Sequence, residues 1–526
     1  MQTENQPYIL SIDLGTSGPK AGLYTLLGDP VGYAFEKTQL FLFPGGGAEQ
    51  DPHEWWQAIC TTVQRLLTEH PEARQAVTAI NVTTQWSGTV PIDREGNPLM
   101  NAIIWMDSRG APYARHITGG PVRLSGYGVG KLLTWLRLTG GVPGHAGKDP
   151  IAHILYLQAE RPEIYRQTYK FLEPKDYINS RLTGVFAASY DSIALHWLTD
   201  NRDLSKVDYD ERLLSFSNIE RDKLPDLLPP NSLLGTISPQ AAAELGLPRN
   251  AQVISGTPDV QSAAVGSGAV EDFSAHLYIG TSAWLACHVP FKKTDILHNI
   301  ASLPAAIPGR FLVTDEQEIA GGCLNYLRDK LFFPDDEFGQ QAPQDTFQRF
   351  DEMAARIPAG SENLIFTPWL YGERTPVDDE LIRGGFFNQS LRHTRGHLVR
   401  AVFEGVAYNA RWLLGFVEKF AKRRLDPIYI VGGGAQSDIW CQIHADIFNR
   451  TILQVQDPLH VNAHGAALLA SLALGALRVD EIRQRVPIER TYQPDPANRG
   501  IYERLFKEFV NLYDLHRPLH ARLNRA

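Results

Sequence analysis

The 526-residue sequence predicts an α/β protein of two similar lobes around a central cleft. Three observations support this. The triplet Gly-Thr-Ser stands at Gly15-Thr16-Ser17 and again at Gly280-Thr281-Ser282, each beside an apolar run of strand character, and half the chain separates the copies. A strand, a glycine turn and a helix recur as the building unit. A hydrophobic content of 43% over this length suits two or three domains, each able to bury its own core.

The elements follow in order. Tyr8 to Ile12 is a short β-type run ending in Asp13, and a second run around Lys20 to Thr25 meets the turn signal Gly28-Asp29-Pro30, so the chain opens as a hairpin or meander. From His53 to Leu67, Trp56, Ile59, Val63, Leu66 and Leu67 share one helical face, with Asp51 as N-cap and Pro52 in the first turn. A strand from Ala79 to Thr84 leads into Gln85-Trp86-Ser87-Gly88. After the small-residue stretch Gly266-Ser267-Gly268-Ala269, the run Ala275 to Ile279 feeds the second Gly-Thr-Ser turn. The lobe boundary is expected there, giving lobes 1–268 and 269–526. An amphipathic helix from about His397 to Phe420 precedes the strand Ile428 to Val431, which enters Gly432-Gly433-Gly434.

A formal net charge of -9 leaves no basic footprint, so nucleic acid and anionic membrane are not expected partners and small molecules are. Cys60, Cys287, Cys323 and Cys441 are scattered without a C-x-x-C spacing, which argues against a disulfide framework or thiolate metal site and fits a reducing cytoplasm. Met1 to Pro7 is polar, and the least polar stretch, Gly465 to Leu477, is shorter than the roughly 20 residues that span a bilayer. A cytoplasmic location is expected.

A Gly-plus-hydroxyl turn beside a strand offers backbone N–H groups and a hydroxyl to an anion, so two such turns suggest two lobes gripping one polyphosphate. Neither G-x-x-x-x-G-K-[ST] nor a strand-linked G-x-G-x-x-G occurs. Asp13-x-Gly15-Thr16, Gly280-Thr281 and Gly432-Gly433-Gly434 instead resemble the actin-like (ribonuclease H-like) ATPase superfamily. Further segments sharpen the resemblance to the FGGY carbohydrate kinases over nearly the whole chain. They are Glu49-Gln50-Asp51-Pro52 with Trp55-Trp56, Ile104 to Arg109, Pro174-Lys175-Asp176-Tyr177, Gly372 to Pro376, Arg400 to Ala407 and Gly465-Ala466-Ala467.

This resemblance implies a kinase that binds ATP and Mg²⁺ between its lobes and phosphorylates a small sugar, with a ketopentose such as xylulose or ribulose expected. It makes Asp259, in Gly256-Thr257-Pro258-Asp259, the catalytic base, ionised at neutral pH if its pKa is the ordinary ~3.9; Asp259 can also cap a helix through Val260 to Val265. Asp13 is the expected Mg²⁺ carboxylate, or alternatively a turn-stabilising side chain. Gly15, Thr16, Ser17, Gly280, Thr281 and Ser282 are expected at the phosphates, with Lys20 adding charge. Gly432, Gly433 and Gly434 with Gln436 are expected at the adenosine, since glycine has no Cβ to obstruct a flat base. A homodimer is implied only at the family level.

Sugar recognition departs from the family pattern. Gln85-Trp86-Ser87-Gly88 stands where the family has Gly-Gln-Met-His-Gly or a close variant, so Trp86 is either a platform for a sugar's C–H face or a packing residue, with Gln85 and Ser87 making the hydrogen bonds. Trp105, Asp107 and Arg109 line or buttress the same site. Val260 and Thr257-Pro258 also differ from the family, leaving glycerol, a hexulose, a polyol or a hydroxyketone as alternative acceptors, and a weakly catalytic sugar- or nucleotide-binding regulator as the non-enzyme alternative. Glu373-Arg374 and Glu404 read as structural braces. The pairs His393/His397 and His460/His464 have i, i+4 spacing without a third ligand and read as surface histidines without a metal.

Overall fold

Strands buried on both faces read as near-continuous apolar runs, and Tyr8–Gly15, Val77–Thr84 and Gln252–Pro258 are buried along almost their whole lengths. The computed structural model describes residues 6–337 and 339–525; residues 1–5 of the polar amino-terminal stretch lie outside the described residues. Those three strands lie parallel in a six-stranded sheet of order Leu233–Thr236, Gln252–Pro258, Val77–Thr84, Tyr8–Gly15, Gly18–Thr25, Pro30–Phe35. The last two complete an antiparallel meander, as the turn signal at Gly28 predicts.

The second half repeats the plan. Ala275–Ile279 pairs antiparallel with Ala283–Val289, which pairs with Phe311–Gln317, while Ile428–Val431 and Ile452–Val455 run parallel beside Ala275–Ile279. Ile488–Tyr492 closes one edge antiparallel, as Leu233–Thr236 does in the first sheet, and two short strands, Ile300–Pro304 and Thr294–Asp295, extend the other. Each Gly-Thr-Ser triplet therefore occupies the turn between the first two strands of its sheet.

Helices cover the sheets where the apolar periodicity requires. Pro52–Glu69 buries Trp55, Trp56, Ile59, Val63, Leu66 and Leu67, and Asp51 caps it by accepting from His53 N at 2.8 Å. Arg395–Ala421 buries most of its length in the second core and is started by a reciprocal bond set between Thr394 and His397. A satellite core around Trp86, Trp135 and Trp197 fills the long excursion between Thr84 and Gln252. All four cysteines are unpaired. Among the described residues no helix is long and apolar enough to cross a membrane.

Two helices join the lobes. Asp259–Gly266 leaves the first sheet and Val461–Ala473 follows the second, and they touch backbone to backbone: a Cβ on Gly266 would lie 1.9 Å from Val461 O, and one on Gly465 would lie 1.9 Å from Ser262 O. Ser262 Oγ donates to Asn462 O at 2.5 Å, and Asn81 Nδ2 on the first sheet donates to Ala466 O at 2.7 Å. The histidines expected at the surface belong partly to this junction. His460 stacks on Tyr33 at 3.8 Å and His464 on Tyr24 at 5.5 Å, because their one-turn spacing points both rings at the first sheet. His397 is likewise buried by its capping role, and His393 packs beside it.

Candidate active site

Parallel strands leave their carboxyl ends at one edge, and ligands of open α/β sheets gather there. Register pairs Leu14 with Thr84 and Thr84 with Pro258, so Asp13, Gln85 and Asp259 leave three adjacent strands at the same edge. In the second sheet Tyr278 pairs with Val431, which sets Gly432 beside Ile279, one residue before Gly280. The halves meet beside these edges, where Lys20 Nζ donates to Leu459 O at 3.5 Å, and the Tyr278 hydroxyl is pushed up by burial and then by the charges of Asp13 and Asp259.

Asp13 is 2% exposed; its Oδ2 lies 3.6 Å from Lys20 Nζ and its Oδ1 has no hydrogen-bond partner. Burial raises its pKa, and the charge and hydrogen bond of Lys20 oppose the rise. Asp259 is the first residue of its helix, with Pro258 as N-cap, and Oδ1 accepts only from its neighbour Val260 N at 2.8 Å. The expectation of an ordinary carboxylate at this position is corrected. Burial first, then the charges of Asp13 and Glu316, push Asp259 up to about 8, against the pull of the Val260 N–H and Lys20.

The strand that delivers Asp259 is held from beneath by buried polar groups that sequence reasoning passed over. Lys175 Nζ and Asn179 Nδ2 donate to Ser255 O at 2.7 and 2.8 Å, Lys175 is paired with Asp176, and Thr257 Oγ1 donates to the buried Asp191. Their signal was present in Pro174-Lys175-Asp176-Tyr177, whose charged residues sit in an otherwise buried helix, Pro174–Thr183.

Around the first anion turn, Ser17 is exposed and Gly15 half-buried, but the Thr16 hydroxyl is already engaged. It donates to Gln85 Oε1 at 3.0 Å and accepts from Trp105 Nε1 at 3.0 Å, while Gln85 Nε2 donates to Gln50 Oε1 and Gln50 Nε2 to Thr16 O. Trp86 takes the packing alternative: its indole lies in the satellite core and donates to Ser192 O at 2.9 Å. Ser87 adopts φ 66° and donates its hydroxyl to Lys148 O at 2.7 Å. Asp107, 1% exposed, accepts from Ala48 N and Arg109, whose guanidinium also pairs with Glu49. That is a buttress rather than a sugar-facing carboxylate.

The second turn is fastened from behind, with Gly321 N and Gly322 N donating to Gly280 O and Thr281 O, which leaves Thr281 exposed and Ser282 half-buried. Gly432 has φ 86°, and a Cβ there would lie 2.7 Å from Ile279 O; one on Gly434 would lie 2.5 Å from Ile279 Cγ2. Gly433 is exposed and Gln436 likewise, whereas Ser437 caps the next helix and donates to Asp351.

Four further charged residues form a linked cluster: Arg374 lies in the family-like segment Gly372 to Pro376, whereas no local motif announces Glu316, Glu318 and Lys148. Arg374 pairs with Glu316 and donates to Glu318 Oε1 at 2.8 Å, and Lys148 of the first half reaches Glu318 at 3.7 Å. Glu373 behind them accepts from Glu318 N, Arg374 N and Asn409, the bracing role expected of it.

Comparison with known proteins agrees with this geometry. Residues 8–266 match the model of the FGGY family of carbohydrate kinases, N-terminal domain, and residues 276–474 match that of its C-terminal domain. The chain is 29% identical over 520 residues to a xylulose kinase of Staphylococcus epidermidis, covering 98% of both. It superposes with a TM-score of 0.86 on a gluconate kinase from Lactobacillus acidophilus at 26% identity, and equally on a ligand-bound xylulose kinase from the same organism at 25%, covering 98% of this chain and 100% of each. The chain thus belongs to the FGGY family of carbohydrate kinases: it is a phosphotransferase with an alcohol group as acceptor, built on the actin-like ATPase fold.

Proposed function

We propose that this sugar kinase transfers the γ-phosphoryl group of Mg-ATP to a hydroxyl of a ketopentose such as xylulose or ribulose. Kinases of the family use ATP as donor. One observation favours a neutral acceptor: each cation reaching the cleft already faces a carboxylate, Lys20 with Asp13, Lys148 with Glu318, and Arg374 with Glu316 and Glu318. Among the described residues, a sugar acid would find each of these cations already holding a carboxylate partner. Gluconate stays as the second reading because of the gluconate kinase likeness.

In this reading Asp259 accepts the proton of the attacking hydroxyl. A raised pKa suits it, since a base titrating near the working pH takes a proton more effectively than an ordinary carboxylate. Asp13 suits Mg²⁺, a hard cation that prefers oxygen, because its Oδ1 is buried and unpartnered. The metal, when bound, supplies charge neutralisation for the phosphate oxygens. Gly15, Ser17, Gly280, Thr281 and Ser282 bind phosphates through backbone and hydroxyl donors, Thr16 braces Gln85 and Trp105, and Gly433 and Gln436 lie toward the adenosine. The lobes divide after residue 268, between the helix ending at Gly266 and the strand starting at Ala275.

The deciding experiment measures ADP release with xylulose, ribulose, glycerol, hexuloses, polyols and gluconate. Release stimulated most by a ketopentose is expected; a preference for gluconate overturns the substrate reading, and binding without release makes the chain a regulator.

A further inference from the structure

The family segment expected to read the sugar is largely closed off in this chain. Gln85, Trp86, Ser87 and Asp107 are 2%, 8%, 7% and 1% exposed, and each has its polar atoms committed to protein partners. The side chains of Lys148, Glu318 and Arg374 are 25%, 16% and 26% exposed and come from opposite halves of the chain. Arg374 ties them to Glu316, whose charge is felt by Asp259.

Resting on the kinase reading above, we propose that Lys148, Glu318 and Arg374 are the specificity-determining residues of this enzyme and grip the hydroxyls of a neutral sugar beside Asp259. A hydroxyl donates and accepts at once, so it can bridge this ammonium and carboxylate once the pair, 3.7 Å apart, opens by about 1 Å to give each a hydrogen bond. Lys148 has Glu318 as its single carboxylate partner among the described residues, which leaves ammonium hydrogens for a ligand. Glu318 meanwhile repels an anionic acceptor, the discouraging half of a selective site. Ser87, at the position where the family pattern changes, holds the carbonyl of Lys148, so the altered motif acts by setting this lysine rather than by touching sugar.

The test compares Lys148→Ala, Glu318→Gln and the charge swap Lys148→Glu with Glu318→Lys, reading acceptor and ATP KM separately. Each single variant is expected to raise the ketopentose KM by about tenfold or more with ATP KM within about twofold, and Glu318→Gln to raise the gluconate-to-ketopentose rate ratio by about tenfold. The swap is not expected to recover wild-type kinetics, because it restores an inter-lobe ion pair but inverts what the sugar meets. An unmoved acceptor KM, an equal rise in ATP KM, or recovery by the swap overturns the inference, the last by reducing the cluster to a latch. Absence of ADP release by the wild-type enzyme with every acceptor overturns the kinase reading as well, and is thereby distinguishable.

Discussion

Lys20 and Asp13 occupy paired positions on adjacent antiparallel strands, with Nζ 3.6 Å from Oδ2, and the same ammonium lies 3.5 Å from Leu459 O of the other half. The lysine opposes the rise that burial imposes on Asp13. Lys20→Met should therefore leave Asp13 protonated to higher pH. The acid limb of the activity profile is expected to move upward in pH; a limb that stays put would show that Asp13 ionisation does not limit turnover.

Asp259 gives the opposite handle. Its folded pKa of about 8 stands above the ordinary value of 3.8, so protonation favours the folded state and stability is lost as pH rises between those values. Asp259→Asn should abolish turnover while retaining ATP binding, and should melt above the wild type at pH ~8 but level with it near pH ~4, read by calorimetry. Glu316→Gln removes a repelling charge and should shift the acid limb downward.

Gly465 permits the two junction helices to touch. Gly465→Ala places a methyl group against Ser262 O, 1.9 Å away before relaxation, and should cost about 1–3 kcal/mol in urea unfolding together with a fall in kcat. Wild-type stability would mean the helices separate freely.

Glu404 is buried in a closed set of bonds from Arg400 Nε, Tyr502 OH, Gly360 N and Ser361 Oγ. Removing its charge strands Arg400, so Glu404→Gln should cost roughly 3–5 kcal/mol. The KM values of the folded fraction should not change, since these bonds involve none of the candidate site residues.

Much of this was legible because it is local. The Asp51 cap, the opening meander and the strands entering both Gly-Thr-Ser turns depend on neighbours a few residues away, and each appears where patterning puts it. Helix Arg395–Ala421 extends only slightly beyond the predicted span. What escaped is non-local. Whether Trp86 faces sugar or core depends on Ser192, and the Lys148–Glu318 pair joins residues far apart in sequence. The pKa of Asp259 escaped for the same reason, since it is set by burial and by carboxylates on other strands. The histidine pair at 460 and 464 looked like a solvated face because the tyrosines that cover it belong to the opening meander.

The helix that begins at Asp259 is also the one whose far end, Gly266, presses on the other half of the molecule. A swing of one sheet relative to the other would therefore pivot along the very segment that carries the proposed proton acceptor. Atoms at the rim sweep far during such a swing, while a carboxylate near the fulcrum scarcely travels. On the proposed reading, such a hinge would let the jaws open while the carboxylate assigned to take the proton stayed nearly in place.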